Sequence, residues 1–146
     1  IIFIISVLIM NRTKIGRYIY AVGGNTLAAK FSGISVSKVK FMVYTYSGLM
    51  AGLAGVILAS RMYSGQPTAG EGAEMDAIAA VVVGGTSMSG GYGKLGGTLV
   101  GALIIGILSN GLNLMNVNSF WQTVVKGIVI LLAVFIDYIR NLKKSK

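Results

Sequence analysis

A glycine-rich stretch in the second half of the chain has the spacing of a nucleotide-binding turn. Gly91, Gly93 and Gly96 fit G-x-G-x-x-G, and the pattern follows an apolar run that resembles a strand. A dinucleotide fold also needs an acidic residue about 20 positions later, and no Asp or Glu occurs between Asp76 and Asp137. The Walker pattern fails as well, because Leu follows Gly93 and Lys94 where that pattern has Ser or Thr. We therefore expect no nucleotide site in this chain.

Side chains for acid-base, nucleophilic or metal chemistry are scarce. The sequence contains no His and no Cys, and its four acids are Glu71, Glu74, Asp76 and Asp137. Metal centres and general acid-base catalysis depend mainly on these residue types. We predict no catalytic residues, no metal site and no cofactor, so the protein is not expected to be an enzyme.

The composition favours a membrane protein. Of the 146 residues, 54% are apolar and only 12% are charged, yet the net charge is +9. Soluble domains have roughly 25% charged residues, which argues against a soluble nucleic-acid-binding protein. A disordered chain of this charge would be poor in large apolar residues. We expect the lipid bilayer as a partner and no nucleic acid.

Long apolar stretches predict an all-α, polytopic membrane protein. Residues 41–60 and 98–117 are each twenty uncharged residues, which is enough to cross a bilayer. Lys126 lies near one end of a further span, where it can snorkel. The opening run rises only ~15 Å as a helix, so we interpret it as the second half of a span in a longer protein. The five predicted segments are 1–10, 41–60, 77–93, 98–117 and 122–139.

The positions of the cations predict an orientation. Residues 11–40 contain six Lys or Arg and no acid, which is typical of a cytoplasmic loop. If 77–93 cross the bilayer, eleven of the thirteen cations lie inside, whereas a re-entrant hairpin divides them six to seven. We therefore expect 77–93 to cross, 61–76 to form a periplasmic loop and 140–146 to form a cytoplasmic tail.

Small residues four apart predict close helix packing. Without a hydrophobic drive between helices in lipid, such pairs allow backbones to approach. The pairs are Gly48 with Gly52, Ala51 with Gly55, and Gly97 with Gly101. The denser glycine run from 84 to 97 predicts irregular backbone, which membranes tolerate only where protein or a water-filled cavity covers it. Broken helices of this kind often line transport routes.

Polar residues in the segment 98–117 have two interpretations. Ser109, Asn110 and Asn113 need partners in an apolar environment. They either form hydrogen bonds between helices or face a pathway for a polar solute. The sequence fixes no charged residue at mid-membrane, which weakens an ion-coupled mechanism.

The basic loop is predicted to contain a short helix. The helix covers 26–32, with Asn25 or Thr26 as its N-cap and Gly33 as its C-terminal stop. Such a helix with an Ala28–Ala29 face can dock into a groove on a partner. The alternative is an interfacial helix held to anionic lipid by its lysines.

Several collinear blocks resemble the permeases of ATP-binding-cassette importers for ribose and related sugars. They are GRYIYAVGGN at 16–25, with the Ala pair and the SGI that follow it, EMDAIAA at 74–80, GGTS at 84–87 and the Gly pair at 90–91. The similarity covers essentially the whole chain and corresponds to the C-terminal half of such a permease. Residues 27–33 also resemble the E-A-A-x-x-x-G coupling motif. Leu27 replaces the acid there, which removes an ionic contact but keeps the Ala-Ala-Gly geometry.

The resemblance implies a bacterial inner-membrane subunit that pairs with a second permease copy or homologue. It would receive a monosaccharide from a periplasmic sugar-binding protein and be driven by a separate cytoplasmic ATPase. The implied ATPase-coupling residues are Asn25, Leu27, Ala28, Ala29 and Gly33. Arg61, Glu71 and Glu74 would contact the binding protein, or else belong to a solvated loop. The competing hypotheses are an ATP-independent secondary transporter or channel, and a purely structural membrane subunit.

Overall fold

The computed structural model describes residues 1–68 and 70–144, with side chains described as far as residue 139. Every regular element in these residues is an α-helix, which confirms the predicted fold class. The helices are α1 (Ile2–Arg12), α2 (Lys14–Gly24), α3 (Thr26–Phe31), α4 (Val36–Met62), α5 (Ala73–Val83), α6 (Leu95–Leu114) and α7 (Ser119–Lys144). The chain divides into two compact units, Ile1–Ala73 and Glu74–Lys146.

Within the described residues, three helices are long and apolar enough to cross a membrane. They are α4, α6 and the Ser119–Ile139 part of α7, and α1 is a shorter apolar helix. This confirms a polytopic helical membrane protein. The predicted segment 98–117 is displaced, because the helix begins at Leu95 and ends at Leu114. Asn116 closes it in the left-handed region at a φ of 54°.

The predicted segment 77–93 is helical only in its first part. Helix α5 has 11 residues and rises ~16 Å, about half of a hydrocarbon core. Gly85 has a φ of +82°, and the amides of Gly85 and Thr86 donate to the carbonyls of Val82 and Val81. This is the Schellman arrangement that ends helices at glycine. The glycine cluster therefore terminates α5 and continues as an irregular loop, residues 84–94.

In the first unit, a small apolar cluster packs within the basic loop 11–40, which is predicted to be cytoplasmic, and against the start of α4. Val22 of α2, Ala29 of α3 and Val39 of α4 are buried together, with Ile19, Ile34 and Val36 packed against them. Most other residues of this unit are exposed, including nearly the whole length of α4. The cluster packs α3 against α2 and α4 and so gives this part of the loop a defined tertiary structure.

In the second unit, α5 and α6 form a tight antiparallel hairpin. A Cβ atom on Gly97 would overlap the backbone of Gly84, and one on Gly101 would overlap the carbonyl of Ala80. The predicted packing role of the Gly97 and Gly101 pair is therefore confirmed. Beyond the crossing, Ala79, Ala80 and Ile105 form a buried cluster that Val129 and Ile130 of α7 cover.

Candidate functional site

The short helix α3 has the ends that the sequence predicts. The Asn25 side chain is the N-cap, and its Oδ1 accepts a hydrogen bond from the amide of Ala28 at 3.0 Å. At the other end, Gly33 has a φ of +80°, and the amide of Ile34 donates to the carbonyl of Ala29 at 3.0 Å. Side chains rarely adopt that φ, so glycine is needed at this stop.

The two faces of α3 differ. Ala29 is only 4% exposed and anchors the helix to the apolar cluster of the first unit. Leu27 is 66% exposed and Phe31 is 89% exposed, and residues four apart lie on one helix face. Ala28 is also exposed. Of the predicted coupling residues, Asn25, Ala29 and Gly33 build the helix, while Leu27 and Ala28 are on its surface.

Sequence reasoning missed Phe31 as a surface residue of this helix. The available signal was its spacing, since Phe31 lies four positions after Leu27 and therefore on the same face of the predicted helix. Together Leu27 and Phe31 form an apolar pair, and Lys30 beside them is exposed. The arrangement suits a protein groove with an apolar floor.

The predicted outer residues are all exposed. Arg61 is in the last turn of α4, Glu71 is in the following connection, and Glu74 is in the first turn of α5. Acidic residues in a first turn also stabilise the helix dipole. Their exposure is compatible with both interpretations, docking and a solvated loop.

The predicted pathway residues are divided by the structure. Asn113 Oδ1 accepts a hydrogen bond from Nε2 of Gln122 at 2.9 Å, which joins α6 to α7. That contact fits the structural interpretation for Asn113. Asn110 is exposed, whereas Ser109 Oγ is buried and has no hydrogen-bond partner among the described residues.

Two polar contacts join α7 to helix α5 and to the loop 84–94, and neither was predicted from the sequence. Lys126 Nζ lies 2.7 Å from Asp76 Oδ1, so Lys126 forms an ion pair instead of snorkelling alone. Ser87 Oγ in the glycine loop donates to Asp137 Oδ2 at 3.1 Å. The available signal was the presence of single charges, Lys126 and Asp137, in an otherwise apolar helix, because such charges need partners.

The three helices of the second unit contact one another. Helices α6 and α7 are joined by the hydrogen bond between Asn113 and Gln122. Val129 and Ile130 of α7 pack against the apolar cluster that α5 and α6 form. Helix α5 is joined to α7 by the ion pair between Asp76 and Lys126.

No group of three His, Cys, Asp or Glu side chains gathers as metal ligands would within residues 1–68 and 70–144. The polar contacts described above join the helices of the second unit to one another.

The family comparison covers most of the chain. Residues 1–134 match the family model described as "branched-chain amino acid transport system / permease component". No solved structure matches the chain significantly.

Individual relatives are sugar permeases. The chain is 60% identical over 135 residues to the ribose import permease protein RbsC of Bacillus subtilis (strain 168), covering 92% of this chain and 42% of that protein. It is 56% identical over 137 residues to RbsC of Escherichia coli (strain K12), covering 94% and 43%. It is 48% identical over 134 residues to the xylose transport system permease protein XylH of Haemophilus influenzae, covering 92% and 36%.

The chain thus spans less than half the length of these relatives. The family match, residues 1–134, extends through both units and agrees with the three membrane-length helices in the described residues. The relatives are transport subunits rather than enzymes. This chain belongs to the branched-chain amino acid and sugar permease family of ATP-binding-cassette transport systems.

Proposed function

We propose that this chain is part of the transmembrane permease subunit of an ATP-driven importer for a monosaccharide of the ribose or xylose class. The observation that carries the proposal is the folded helix α3, which presents Leu27 and Phe31 on a loop expected in the cytoplasm. The printed names of the relatives support the sugar class, since two are ribose permeases and one is a xylose permease.

The α3 helix is the proposed contact to a separate ATPase subunit. Ala29 and the capping residues Asn25 and Gly33 connect the helix to α2 and α4, so a push on its exposed face reaches the membrane helices as a rigid displacement. The Leu27 and Phe31 pair supplies apolar contact area in place of the acid of the coupling motif. Burial of two such side chains contributes roughly 3–6 kcal/mol to docking before entropy losses.

The proposed topology places the basic loop and the tail in the cytoplasm of a bacterial inner membrane. The register of the second unit supports a crossing by residues 77–93, because Asp76 meets Lys126 and Ser87 meets Asp137. The step of eleven residues from Lys126 to Asp137 rises ~16 Å along α7. Residues 76–87 therefore run alongside α7, from the outer third of that helix to its inner end, which precedes the tail.

On the opposite side, Arg61, Glu71 and Glu74 are the proposed contacts of a periplasmic sugar-binding protein. Their exposure and their mixture of charges support a polar docking surface. A second permease copy or homologue completes the pathway, and Ser109 and Asn110 are the residues of α6 proposed to face the sugar. Asn113 is engaged with Gln122 and supports the wall of the pathway instead.

The coupling role is tested by placing charge on the exposed face of α3. In the complete transporter, Phe31→Asp should abolish ATP-driven uptake of radiolabelled ribose, because it places a carboxylate in the apolar contact. The exposed site leaves the fold intact, so membrane insertion and thermal melting should match the wild type. The control is Ser37→Asp, which adds the same charge at an exposed position at the start of α4. Phe41→Asp is unsuitable as a control, because it would place a carboxylate in an apolar helix.

Two results would contradict the coupling role. Full uptake by the Phe31→Asp transporter would show that α3 makes no essential contact. Equal loss in the Ser37→Asp transporter would show that any added acid in this loop is damaging. Ala29→Arg is a weaker test, because Ala29 is buried and the change would also disrupt the cluster.

The ion pair between Lys126 and Asp76 favours one competing function. Ion-coupled transporters place paired charges within membrane helices, and this chain has such a pair in α7 and α5. A secondary transporter would therefore use a proton or sodium gradient. Vesicle uptake that follows such a gradient and ignores ATP would replace the ATP-driven proposal.

A further inference from the structure

Helix α5 contacts α7 near its start, and the loop 84–94 that follows α5 contacts α7 as well. Near its start, Asp76 Oδ1 lies 2.7 Å from Lys126 Nζ, and beyond its end Ser87 Oγ bonds Asp137 at 3.1 Å. Helix α5 has only 11 residues and cannot span a bilayer by itself. Its position in the membrane therefore depends on the longer helix beside it.

The ion pair is partly shielded from solvent. The side chains of Lys126 and Asp76 are 20% and 39% exposed, and the Oδ1 atom of Asp76 is itself buried. Lys126 lies seven positions after the start of a mainly apolar, membrane-length segment, Ser119–Ile139. A lone lysine there costs free energy, and removal of one partner from a shielded pair leaves an uncompensated charge. The Asp76 carboxylate is what permits a cation at this position.

We propose that Asp76 and Lys126 are positioning residues that make α5 and α7 a single moving element during transport. Asp76 acts through Lys126, because the carboxylate fixes the ammonium and thereby the first turn of α5. The glycine loop at the other end follows through Ser87 and Asp137. Glu74 lies in the same first turn as Asp76, so a partner that docks on this turn also displaces α7. The inference rests on the proposed transport function and adds the helices that move together.

Charge exchange tests the pair in the complete transporter, reconstituted with its ATPase and binding protein in proteoliposomes. Asp76→Asn should lower the maximal rate of ribose uptake about tenfold with little change in KM, which is the signature of a positioning loss rather than a binding loss. The exchanged pair, Asp76→Lys with Lys126→Asp, should restore uptake. If the exchanged protein does not fold, Asp76→Asn with Lys126→Gln should restore it instead, since no lone charge is left. Lys94→Gln removes an exposed cation from the same unit and should have no effect.

Cross-linking tests whether the two helices move together. The 146 residues contain no cysteine. In a transporter whose other subunits and segments are freed of cysteine, Cys introduced at positions 76 and 126 can be joined selectively by a short bifunctional thiol reagent. The cross-linked transporter should retain at least the uptake of the same double variant before cross-linking. A block of uptake that reductive cleavage of the linker reverses would overturn the proposal, because it would show that α5 and α7 separate.

Other outcomes are also decisive. Wild-type uptake by Asp76→Asn, or a raised KM without a change in maximal rate, would overturn the positioning role. Absence of ATP-driven uptake in the unmodified transporter would instead contradict the proposed function. The charge exchange and cross-link can then be measured with gradient-driven uptake, so the two failures are distinguishable.

Discussion

Helices α4 and α6 contain the same spacing of small residues but use it differently. In α6, Gly97 and Gly101 lie against the backbone of α5, at Gly84 and Ala80, and have no room for a side chain. In α4, a Cβ atom on Gly48, Gly52 or Gly55 would meet nothing within 4 Å. The spacing permits close approach, and only the presence of a second backbone makes it a contact.

The difference follows from how each helix is connected. The loop 84–94 is short and turns back on itself, with the amide of Ser87 donating to the carbonyl of Tyr92 at 3.0 Å. Helix α5 therefore returns alongside α6 within a few residues. Helix α4 contacts the rest of its unit near its N-terminus through Val39, and Ser6 and Tyr46 share a hydrogen bond between α1 and α4. The glycines in the middle of α4 have open space around them.

The largest expected effect is at the α5–α6 crossing. Gly101→Ala places a methyl group onto the Ala80 carbonyl and should destabilise the permease by about 3 kcal/mol or more, because backbone atoms must move. Gly106→Ala is the matched control, since Gly106 is in the same helix and has open space. Thermal melting in detergent measures both. Equal melting temperatures would contradict the close crossing.

The end of α5 should be the next most sensitive position. Gly85→Ala forces a side chain into the left-handed region at a φ of +82° and should cost about 1–2 kcal/mol. Asn tolerates this region better, as Asn116 does at the end of α6, so Gly85→Asn should recover part of the loss. Melting temperatures that rank Gly, Asn and Ala in that order support the left-handed stop. An alanine variant as stable as the wild type would disprove it.

A smaller effect is expected at the cap of α3. Asn25→Ala removes the acceptor for the Ala28 amide and should cost about 1 kcal/mol, whereas Asn25→Asp retains an acceptor. Hydrogen exchange of residues 26–31 measures the local opening directly. Faster exchange in the alanine variant and normal exchange in the aspartate variant would support the cap. Identical exchange in all three proteins would show that Ala29 packing alone holds the helix.

The smallest effect is expected in α4, with the opposite sign. Gly52→Ala adds a methyl group in open space and improves helix propensity, so it should stabilise the permease by up to about 1 kcal/mol. Gly48→Ala is a second site of the same kind. A strong loss of stability in the assembled transporter, but not in the separated subunit, would show that α4 glycines pack against a partner. Such a result would mean that the glycines of α4, like Gly97 and Gly101 of α6, lie against another backbone.

Local features were largely predictable from sequence. The Asn25 cap, the Gly33 stop and the Gly97 and Gly101 pair all depend on residue type and spacing over a few positions. The long apolar stretches likewise predict α4, α6 and most of α7. These are local or periodic signals, and the physics behind them operates within one helix or one turn.

Contacts between distant residues were not predictable. Lys126 was expected to snorkel, yet it pairs with Asp76, which is 50 positions earlier. Ser87 and Asp137 are equally far apart, and Phe31 was recognised as exposed only once Ala29 was seen to be buried. A charged residue in an apolar helix predicts that a polar or charged partner lies nearby, but the sequence does not identify that partner.

By itself, the sequence determined that this is a helical membrane protein with a basic loop and an acidic loop, because composition and charge distribution set those properties directly. Tertiary structure decided at which residue helix α5 ends, which glycines lie against the backbone of another helix, and which charged side chains form ion pairs. Those outcomes depend on the register between helices, which a turn such as residues 84–94 sets in three dimensions. The same spacing of small residues therefore yields a tight crossing in α6 and an open face in α4.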